Sequence, residues 1–427
     1  MRDPLLEPVA RAADILLAAE RPIRVLRTVG WAPSVKRRFF AAGARELPKV
    51  EYERVDVHHT LEAVAKAREL CVGSSNAERW VRRQADAVER SARMLASVGT
   101  PAFYEHSAAL YGTPKAPLAD EVRTPLELAR ELDAVLSAYS AVDLGAPPAA
   151  CHLSTFIADQ VRVAVIAHFG EDAPDVEIVE HLSANALAKA RAILIRRDAC
   201  FTDRDAQQLI QHEALVHVLT SLNGHYQQRL PLLSAGHGGT TRTQEGLAVF
   251  AELINGGLDP DRLRRLADRV IAIQMAIDGA DFLDVYGYFL ERTGAAEQAF
   301  ENARRVFRGG VLEGGAPFTK DAVYLDGLLR VHDFLRVAVK AGRADAIRTL
   351  FVGKLDIEDV PALCELTLAG LVAPPRFLPP WVLDLRTLVA SLAYATFLDR
   401  VDLRRVEARY GELLASAPRL PSVVNEE

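Results

Sequence analysis

The chain has 427 residues, of which 50% are hydrophobic and 25% are charged. This composition is typical of globular proteins and excludes a disordered or collagen-like chain. The 51 basic and 57 acidic residues give a net charge of −6, and this lack of excess positive charge argues against a nucleic-acid partner.

Targeting signals and a cysteine framework are also absent from the sequence. Residues 1–26 lack the uninterrupted apolar core of a signal peptide, and no later segment has about 18 consecutive uncharged apolar residues. We therefore expect a cytoplasmic protein without a membrane partner. Cys71, Cys151, Cys200 and Cys364 form no C-x-x-C pair, so we expect reduced thiols rather than a cysteine-based zinc finger.

Helical periodicity dominates the chain. Apolar residues recur at spacings of three and four in residues 8–20, 60–71, 77–98, 125–142, 261–278, 282–292, 295–307 and 383–416. Strand-like runs occur at 176–179 and 192–195. The pattern predicts an α+β fold that is mainly α-helical, with a small β-sheet.

Proline and glycine clusters at 112–125, 145–150 and 372–380 interrupt the helical pattern. They suggest an N-terminal helical region at 1–150, a central region at 151–345 and a C-terminal helical region at 346–427. The Arg-rich run Arg262–Arg265 is expected to be a solvated helix face.

The most informative segment is residues 201–224, FTDRDAQQLIQHEALVHVLTSLNG. Thr202 with Asp205 three positions later is a capping signature, and Asn223-Gly224 is a helix stop signal. These signals predict about twenty helical residues that contain the hexapeptide HEALVH.

HEALVH supplies His212, Glu213 and His217, which are the side chains that a zinc hydrolase uses to hold its metal and to accept a proton from water. The familiar H-E-x-x-H motif has histidines four apart, whereas five-residue spacing puts them roughly 140° apart on a regular helix. A π-bulge would bring both rings together. We therefore predict a widened turn between residues 212 and 217. The competing interpretation is a regular helix in which His217 pairs with Glu213.

A third protein ligand is needed to complete a catalytic zinc site. Residues 236–253, GHGGTTRTQEGLAVFAEL, predict a second helix capped at Thr241 or Thr243, with Glu245 in its first turn. Antiparallel packing of the two helices would allow Glu245 to reach the metal. Glu252, two turns later, is either a partner for a ligand histidine or part of a surface ion pair.

The combination of HExxxH with QEGLA, residues 244–248, resembles the bacterial flavohemoglobin expression-modulating QEGLA motif proteins. These look like relatives of the microtubule-associated tyrosine carboxypeptidases, zinc metallopeptidases that remove a C-terminal tyrosine from tubulin. The stretches RPIRVLRTVGWAP (21–33), ELPKVEY (46–52) and FTKDAVYLDGL (318–328) extend the similarity over most of the chain.

The resemblance implies a zincin-like catalytic core in the central region, with one Zn²⁺ per chain. It implies that His212, His217 and Glu245 are the metal ligands and that Glu213 is the general base. The sequence departs from the family at residues 215–216, where Leu-Val stands in place of an expected Gly-Thr and the ligands are unchanged.

A metallocarboxypeptidase also needs groups that bind its substrate, a peptide or protein C-terminus. Tyr324 is a candidate donor to the oxyanion, with a core tyrosine as the alternative. Lys320 and Arg242 are candidate partners for the terminal carboxylate, and the alternative for Lys320 is a solvated loop lysine. The strand at residues 192–196 is either a surface for an extended peptide or an ordinary interior strand.

The competing function is a non-catalytic regulatory or interaction protein that keeps the metal as a structural element. Such a site would be closed by a fourth protein ligand, with His225 or His237 as candidates. An Arg- and Ala-rich chain with few lysines looks bacterial, so tubulin is not transferred as the substrate.

Overall fold

The computed structural model describes residues 6–142, 152–180, 182, 185–199, 201–398, 406 and 410. Over these residues the chain is mainly helical, with a three-stranded sheet. The predicted fold class, mainly α-helical α+β with a small sheet, is confirmed. The assignment of the central region to a zincin-like core stays a prediction.

The α-helices of these residues are, in chain order, α1 (Glu7–Glu20), α2 (Val25–Thr28), α3 (Pro33–Ala41), α4 (His58–Glu69), α5 (Asn76–Ala96), α6 (Pro101–Tyr111), α7 (Pro125–Ala138), α8 (Ser154–Phe169), α9 (Asp203–Leu209), α10 (Leu219–His225), α11 (Gly238–Ile254), α12 (Pro260–Ile277), α13 (Phe282–Thr293), α14 (Ala296–Phe307), α15 (Val323–Lys340), α16 (Ala344–Thr349), α17 (Val360–Leu368), α18 (Pro380–Leu383) and α19 (Arg386–Leu398). A π-helical stretch, Ile210–Val218, joins α9 to α10.

Seven of the eight predicted helical segments coincide with α1, α4, α5, α7, α12, α13 and α14. The eighth, 383–416, contains α19, and most of its remainder lies outside the described residues. The prediction missed α8 because its exposed face also carries large apolar side chains, including Phe156, Val163 and Ile166. Apolar residues on both faces obscure the helical period.

The sheet has the strand order β1-β3-β2, where β1 is Asp175–Val179, β2 is Ala186–Ala188 and β3 is Ala192–Arg196. β3 is parallel to β1, with Ile193 opposite Val176, and antiparallel to β2, with Ile193 opposite Ala188. The proposal that residues 192–196 pair with a peptide is therefore wrong, because β3 already has a partner on each side.

A close crossing of α11 and α15 fixes the helix that carries Glu245. A Cβ atom added at Gly246 would lie 2.2 Å from the carbonyl oxygen of Gly327, and one added at Gly327 would lie 2.3 Å from the carbonyl oxygen of Arg242. Only residues without a side chain allow the two backbones to approach this closely.

One large hydrophobic core contains residues from all three predicted regions, for example Val9, Leu222 and Leu363. The division into regions stays a prediction, and its boundary cluster at 145–150 lies outside the described residues. Cys71 and Cys364 are free thiols, whereas Cys151 and Cys200 lie outside the described part. None of the described helices combines the length and apolar character needed to cross a bilayer.

Candidate metal centre

The helix that carries the two motif histidines is widened between them. Thr202 and Asp205 form a capping box at its start, and it continues through the nine-residue π-helical stretch to His225. A π-helical turn holds more residues than an α-helical turn, so side chains five apart can lie on one side. The predicted distortion is confirmed, and the competing regular helix is wrong.

The widened turn places the two imidazoles next to each other and next to Glu245. The ring centroids of His212 and His217 are 4.8 Å apart, with the ring planes at 83°. Glu245 Oε2 lies 3.5 Å from Nε2 of His212 and 3.5 Å from Nε2 of His217. Ligand atoms on a tetrahedral zinc ion are roughly 3.3 Å apart, so this arrangement is close to a metal-bound one.

Among the described residues, His212, His217 and Glu245 form the group of three side chains that could hold a metal ion, with one ligand atom from each within 4.8 Å of the others. Two imidazoles and a carboxylate are a donor set that zinc accepts, and three protein ligands leave a fourth position open. The residues present therefore fit the ion that the motif implies.

Glu252 fixes the orientation of the His212 ring. Its Oε1 is 2.6 Å from His212 Nδ1, and its side chain is fully buried. Arg262 donates to both carboxylate oxygens at 2.9 Å, and Gln208 donates to one of them at 3.1 Å. Glu252 is thus the buried partner of His212, and not part of a surface ion pair. The expected solvated run at Arg262–Arg265 is wrong for Arg262, which is 7% exposed.

Carboxylates make the centre attractive to a cation. Burial disfavours a charged imidazole, but hydrogen bonds with Glu245 and Glu252 outweigh it and raise the pKa of His212 to about 10. Burial of Glu245 is likewise outweighed by Lys320 and the two histidines, which hold its pKa well below the usual value. Glu213 adds a third negative charge that acts on His212. A bound cation would replace the proton that this environment favours.

Glu213, next to His212, links the helix of the two motif histidines to the sheet. Its Oε2 accepts a hydrogen bond from the backbone N–H of Ala188 at 2.8 Å. Ala188 belongs to β2, which lies at one end of the strand order. The bond orients the predicted general base.

Lys320 and Tyr324 both lie beside the centre. Lys320 is buried in a short 3₁₀ turn and donates to Glu245 Oε1 at 3.1 Å, while the other oxygen of Glu245 faces the histidines. Its ammonium nitrogen is 5.3 Å from the centroid of the Tyr324 ring. The alternative of Lys320 as a solvated loop lysine is therefore wrong.

Arg242 lies at a cavity separate from the candidate metal centre. Its Nε is 2.9 Å from Asp326 Oδ2, and both residues line a cavity of about 470 Å³ together with Phe334 and Val337. No candidate metal ligand lines this cavity.

The rival ligands do not join the group. His225 Nδ1 contacts the Ser221 carbonyl at 2.7 Å, and His237 Nδ1 accepts from the Gly239 N–H at 3.2 Å. His237 is the N-cap of α11, so the expectation that Thr241 or Thr243 caps this helix is wrong. Burial lowers the pKa of His237 to about 4 and keeps it neutral as an acceptor.

The sequence interpretation did not identify Arg269 and Arg305, which lie beside Tyr324. Arg269 Cζ is 4.6 Å from the Tyr324 ring centroid, and Arg305 interacts with both Tyr324 and Asp321. Asp321 stands in the FTKDAVYLDGL stretch, but nothing in the sequence indicates that α12 and α14 direct arginines to it.

A family model described as microtubule-associated tyrosine carboxypeptidase matches residues 37–400. The matched segment includes the helix of His212 and His217, α11 and the turn that carries Lys320. The search of curated proteins finds no match.

Proposed function

The chain belongs to the microtubule-associated tyrosine carboxypeptidase family, and on this premise we propose that it is a zinc-dependent carboxypeptidase. The observation that carries the proposal is the group of His212, His217 and Glu245, with Glu213 adjacent to the first ligand. Three protein ligands and a neighbouring carboxylate are the composition of a hydrolytic zinc site.

Zinc, when bound there, supplies a Lewis acid that lowers the pKa of water towards about 7 and polarises the scissile carbonyl. Glu213 accepts a proton from the attacking water while the water oxygen bonds to the carbonyl carbon. Glu213 then gives the proton to the amine nitrogen as the C–N bond breaks, which releases the C-terminal residue. Its hydrogen bond with Ala188 N–H keeps the carboxylate in place before the reaction.

Two further side chains support this chemistry. The hydroxyl of Tyr324 is our candidate donor to the oxygen that gains negative charge when the carbonyl is attacked. Lys320 holds one oxygen of Glu245 and so directs the other towards the histidines, and its remaining N–H groups are available to a substrate carboxylate. Arg242 is a weaker candidate for that carboxylate, because it is engaged with Asp326 in a separate cavity.

The proposed substrate class is the C-terminus of a peptide or protein. The family name refers to a tyrosine carboxypeptidase that acts at microtubules, and we take the reaction type from it without taking its protein partner. The competing non-catalytic function with a structural metal is less well supported, since neither His225 nor His237 supplies a fourth ligand.

The test is hydrolysis of a peptide library by the zinc-loaded protein. Glu213→Gln should reduce hydrolysis by at least about 100-fold, because general-base catalysis typically contributes that much, while zinc content stays equal to that of wild type. Glu105→Gln, at an exposed glutamate of α6, is the matched control and should leave the rate unchanged. Undiminished hydrolysis in Glu213→Gln would remove Glu213 from the mechanism, and release of internal fragments would exclude a carboxypeptidase.

A further inference from the structure

Cations from three separate elements converge on Tyr324 beside the candidate metal centre. Lys320 lies 3.1 Å from Glu245 Oε1 and 5.3 Å from the Tyr324 ring centroid. The guanidinium carbon of Arg269, on α12, is 4.6 Å from the same centroid. Arg305, on α14, interacts with Tyr324 as well. From Glu245 through Lys320 and the Tyr324 ring to Arg269, none of the three successive distances is longer than 5.3 Å.

The negative charge in this cluster is too small to match the arginines. Asp321 Oδ2 accepts a hydrogen bond from Arg305 Nε at 2.5 Å. Arg269 Nε is 3.9 Å from the same oxygen, which is beyond hydrogen-bonding distance. Arg308 also faces Asp321, and its buried Nε has no hydrogen-bond partner among the described residues. One carboxylate therefore serves three guanidinium groups.

Within the described residues Arg269 makes no hydrogen bond, and unlike the buried Arg308 its side chain is partly exposed. Its contacts within the described residues are the long ion pair with Asp321 and the stacking on Tyr324. The side chain is 16% exposed, so it is not closed off from a ligand. Burial and the like charge of Arg305 lower its pKa to about 10. A bound anion would supply both the missing acceptors and the missing negative charge.

We propose that Arg269, supported by Arg305 and Tyr324, binds the terminal carboxylate of the peptide substrate. The proposal rests on the peptidase function proposed above and assigns it a subsite. Arginine presents two parallel N–H groups that match the two oxygens of a carboxylate. Lys320 uses one N–H on Glu245 and its ammonium offers no parallel pair of donors, so the guanidinium of Arg269 is the anchor and Lys320 assists it.

The location suits the release of a single residue. Bond lengths put the terminal carboxylate carbon about 4 Å from the scissile carbonyl carbon when only one residue follows the bond. A guanidinium that binds this carboxylate then lies on the order of 10 Å from the metal. The short steps through Lys320 and Tyr324 put Arg269 in that neighbourhood.

The experiment compares a pentapeptide library that has free C-terminal carboxylates with the same library amidated at its C-termini. Wild type should prefer the free acids. Arg269→Gln should lower kcat/KM for the free acids by about 10- to 100-fold, as expected for lost hydrogen bonds to a charged group, and should lower the slow hydrolysis of the amides much less. Arg269→Lys should recover part of the preference because it restores the charge.

Arg264→Gln is the matched control, since Arg264 is also on α12 but is paired with Asp133. It should leave the preference intact. Equal losses on free acids and amides in Arg269→Gln, or equal hydrolysis of both libraries by wild type, would overturn the subsite. An acidic side chain as the bound anion would instead appear as a preference for Asp or Glu that survives amidation, and this too would overturn it.

Binding separates failure of the subsite from failure of the peptidase function. Calorimetry with full-length Glu213→Gln measures both libraries without turnover. One outcome is that wild type hydrolyses neither library. Even then, the subsite would be supported if Glu213→Gln binds the free acids more strongly than the amides and the double variant with Arg269→Gln does not. Equal binding of the two libraries would overturn the subsite, whatever the hydrolysis assay shows.

Discussion

The contact between His212 and Glu252 determines which imidazole nitrogen of His212 faces His217 and Glu245. Glu252 holds Nδ1 at 2.6 Å, so Nε2 is directed to Glu245 and His217. Burial raises the pKa of Glu252, but Arg262, on the other side of the carboxylate, and His212 outweigh burial and bring the pKa to about 2. A carboxylate that accepts from a ligand imidazole raises the basicity of the ligand and fixes its orientation.

We predict that Glu252→Gln lowers zinc affinity by about 10- to 100-fold, as is typical when the partner of a metal-bound histidine is replaced. The amide keeps the shape of the side chain but removes the charge that holds the imidazole. Competition against a chromogenic chelator measures the affinity, with Glu105→Gln as the control. Unchanged affinity would mean that Glu252 serves packing alone.

The π-helical stretch is the element on which the centre depends, and it was predictable from the sequence. Five-residue spacing of His212 and His217 is compatible with one shared metal only if the helix is widened. The N-cap of α11 was not predictable, because the capping residue is a buried histidine rather than the usual threonine or serine. His237 can accept the capping hydrogen bond only because burial in the tertiary structure keeps its ring neutral.

The crossing of α11 with α15 gives a prediction for the glycine of QEGLA. Gly246→Ala should destabilise the protein by about 1–3 kcal/mol, because the added methyl meets the Gly327 carbonyl oxygen, and should weaken zinc binding because Glu245 moves with the helix. Urea unfolding and chelator competition measure the two effects.

Gly287→Ala is the matched control for the crossing. Gly287 lies within α13, and a Cβ there has nothing within 4 Å. This change should stabilise the protein by about 0.5–1 kcal/mol through the lower entropy of the unfolded chain. If Gly246→Ala behaved like Gly287→Ala, the close crossing would not be what positions Glu245.

At the scale of the whole molecule, pairs of nearby residues were easier to predict than clusters assembled from distant elements. The candidate ligands in HEALVH and QEGLA were predictable from residue type and local spacing. The environment of Arg269 depends on α12, α14 and the 320–322 turn meeting at one place, and each arginine by itself looks like a solvated helix residue. Strand β2 was missed for a related reason, since Ala-Leu-Ala has no local strand preference and becomes a strand by pairing with β3.

His237 gives a prediction about global stability. Its pKa is about 4 in the folded protein and near 6.5 in an unfolded chain. The unfolded state therefore binds the proton more readily, and stability falls as pH decreases through the interval from about 6.5 to 4. The loss attributable to His237 approaches about 3 kcal/mol at the acid end and is absent above pH 7.

His237→Asn should remove this contribution, because asparagine caps a helix without titrating. The measurement is the free energy of urea unfolding at several pH values for wild type and variant. His59→Asn, at a histidine whose side chain is 94% exposed, is the control and should follow wild type. Parallel pH curves for wild type and His237→Asn would show that His237 is not the titrating group.

The central claim is that His212, His217 and Glu245 hold one zinc ion and leave a coordination position open. X-ray absorption at the zinc edge of the purified full-length protein tests it most directly. We predict two imidazole nitrogens at about 2.0–2.1 Å with oxygen in the remaining positions, and loss of this spectrum in His217→Ala. A third imidazole or a sulfur ligand, or a protein that takes up no zinc, would contradict the account.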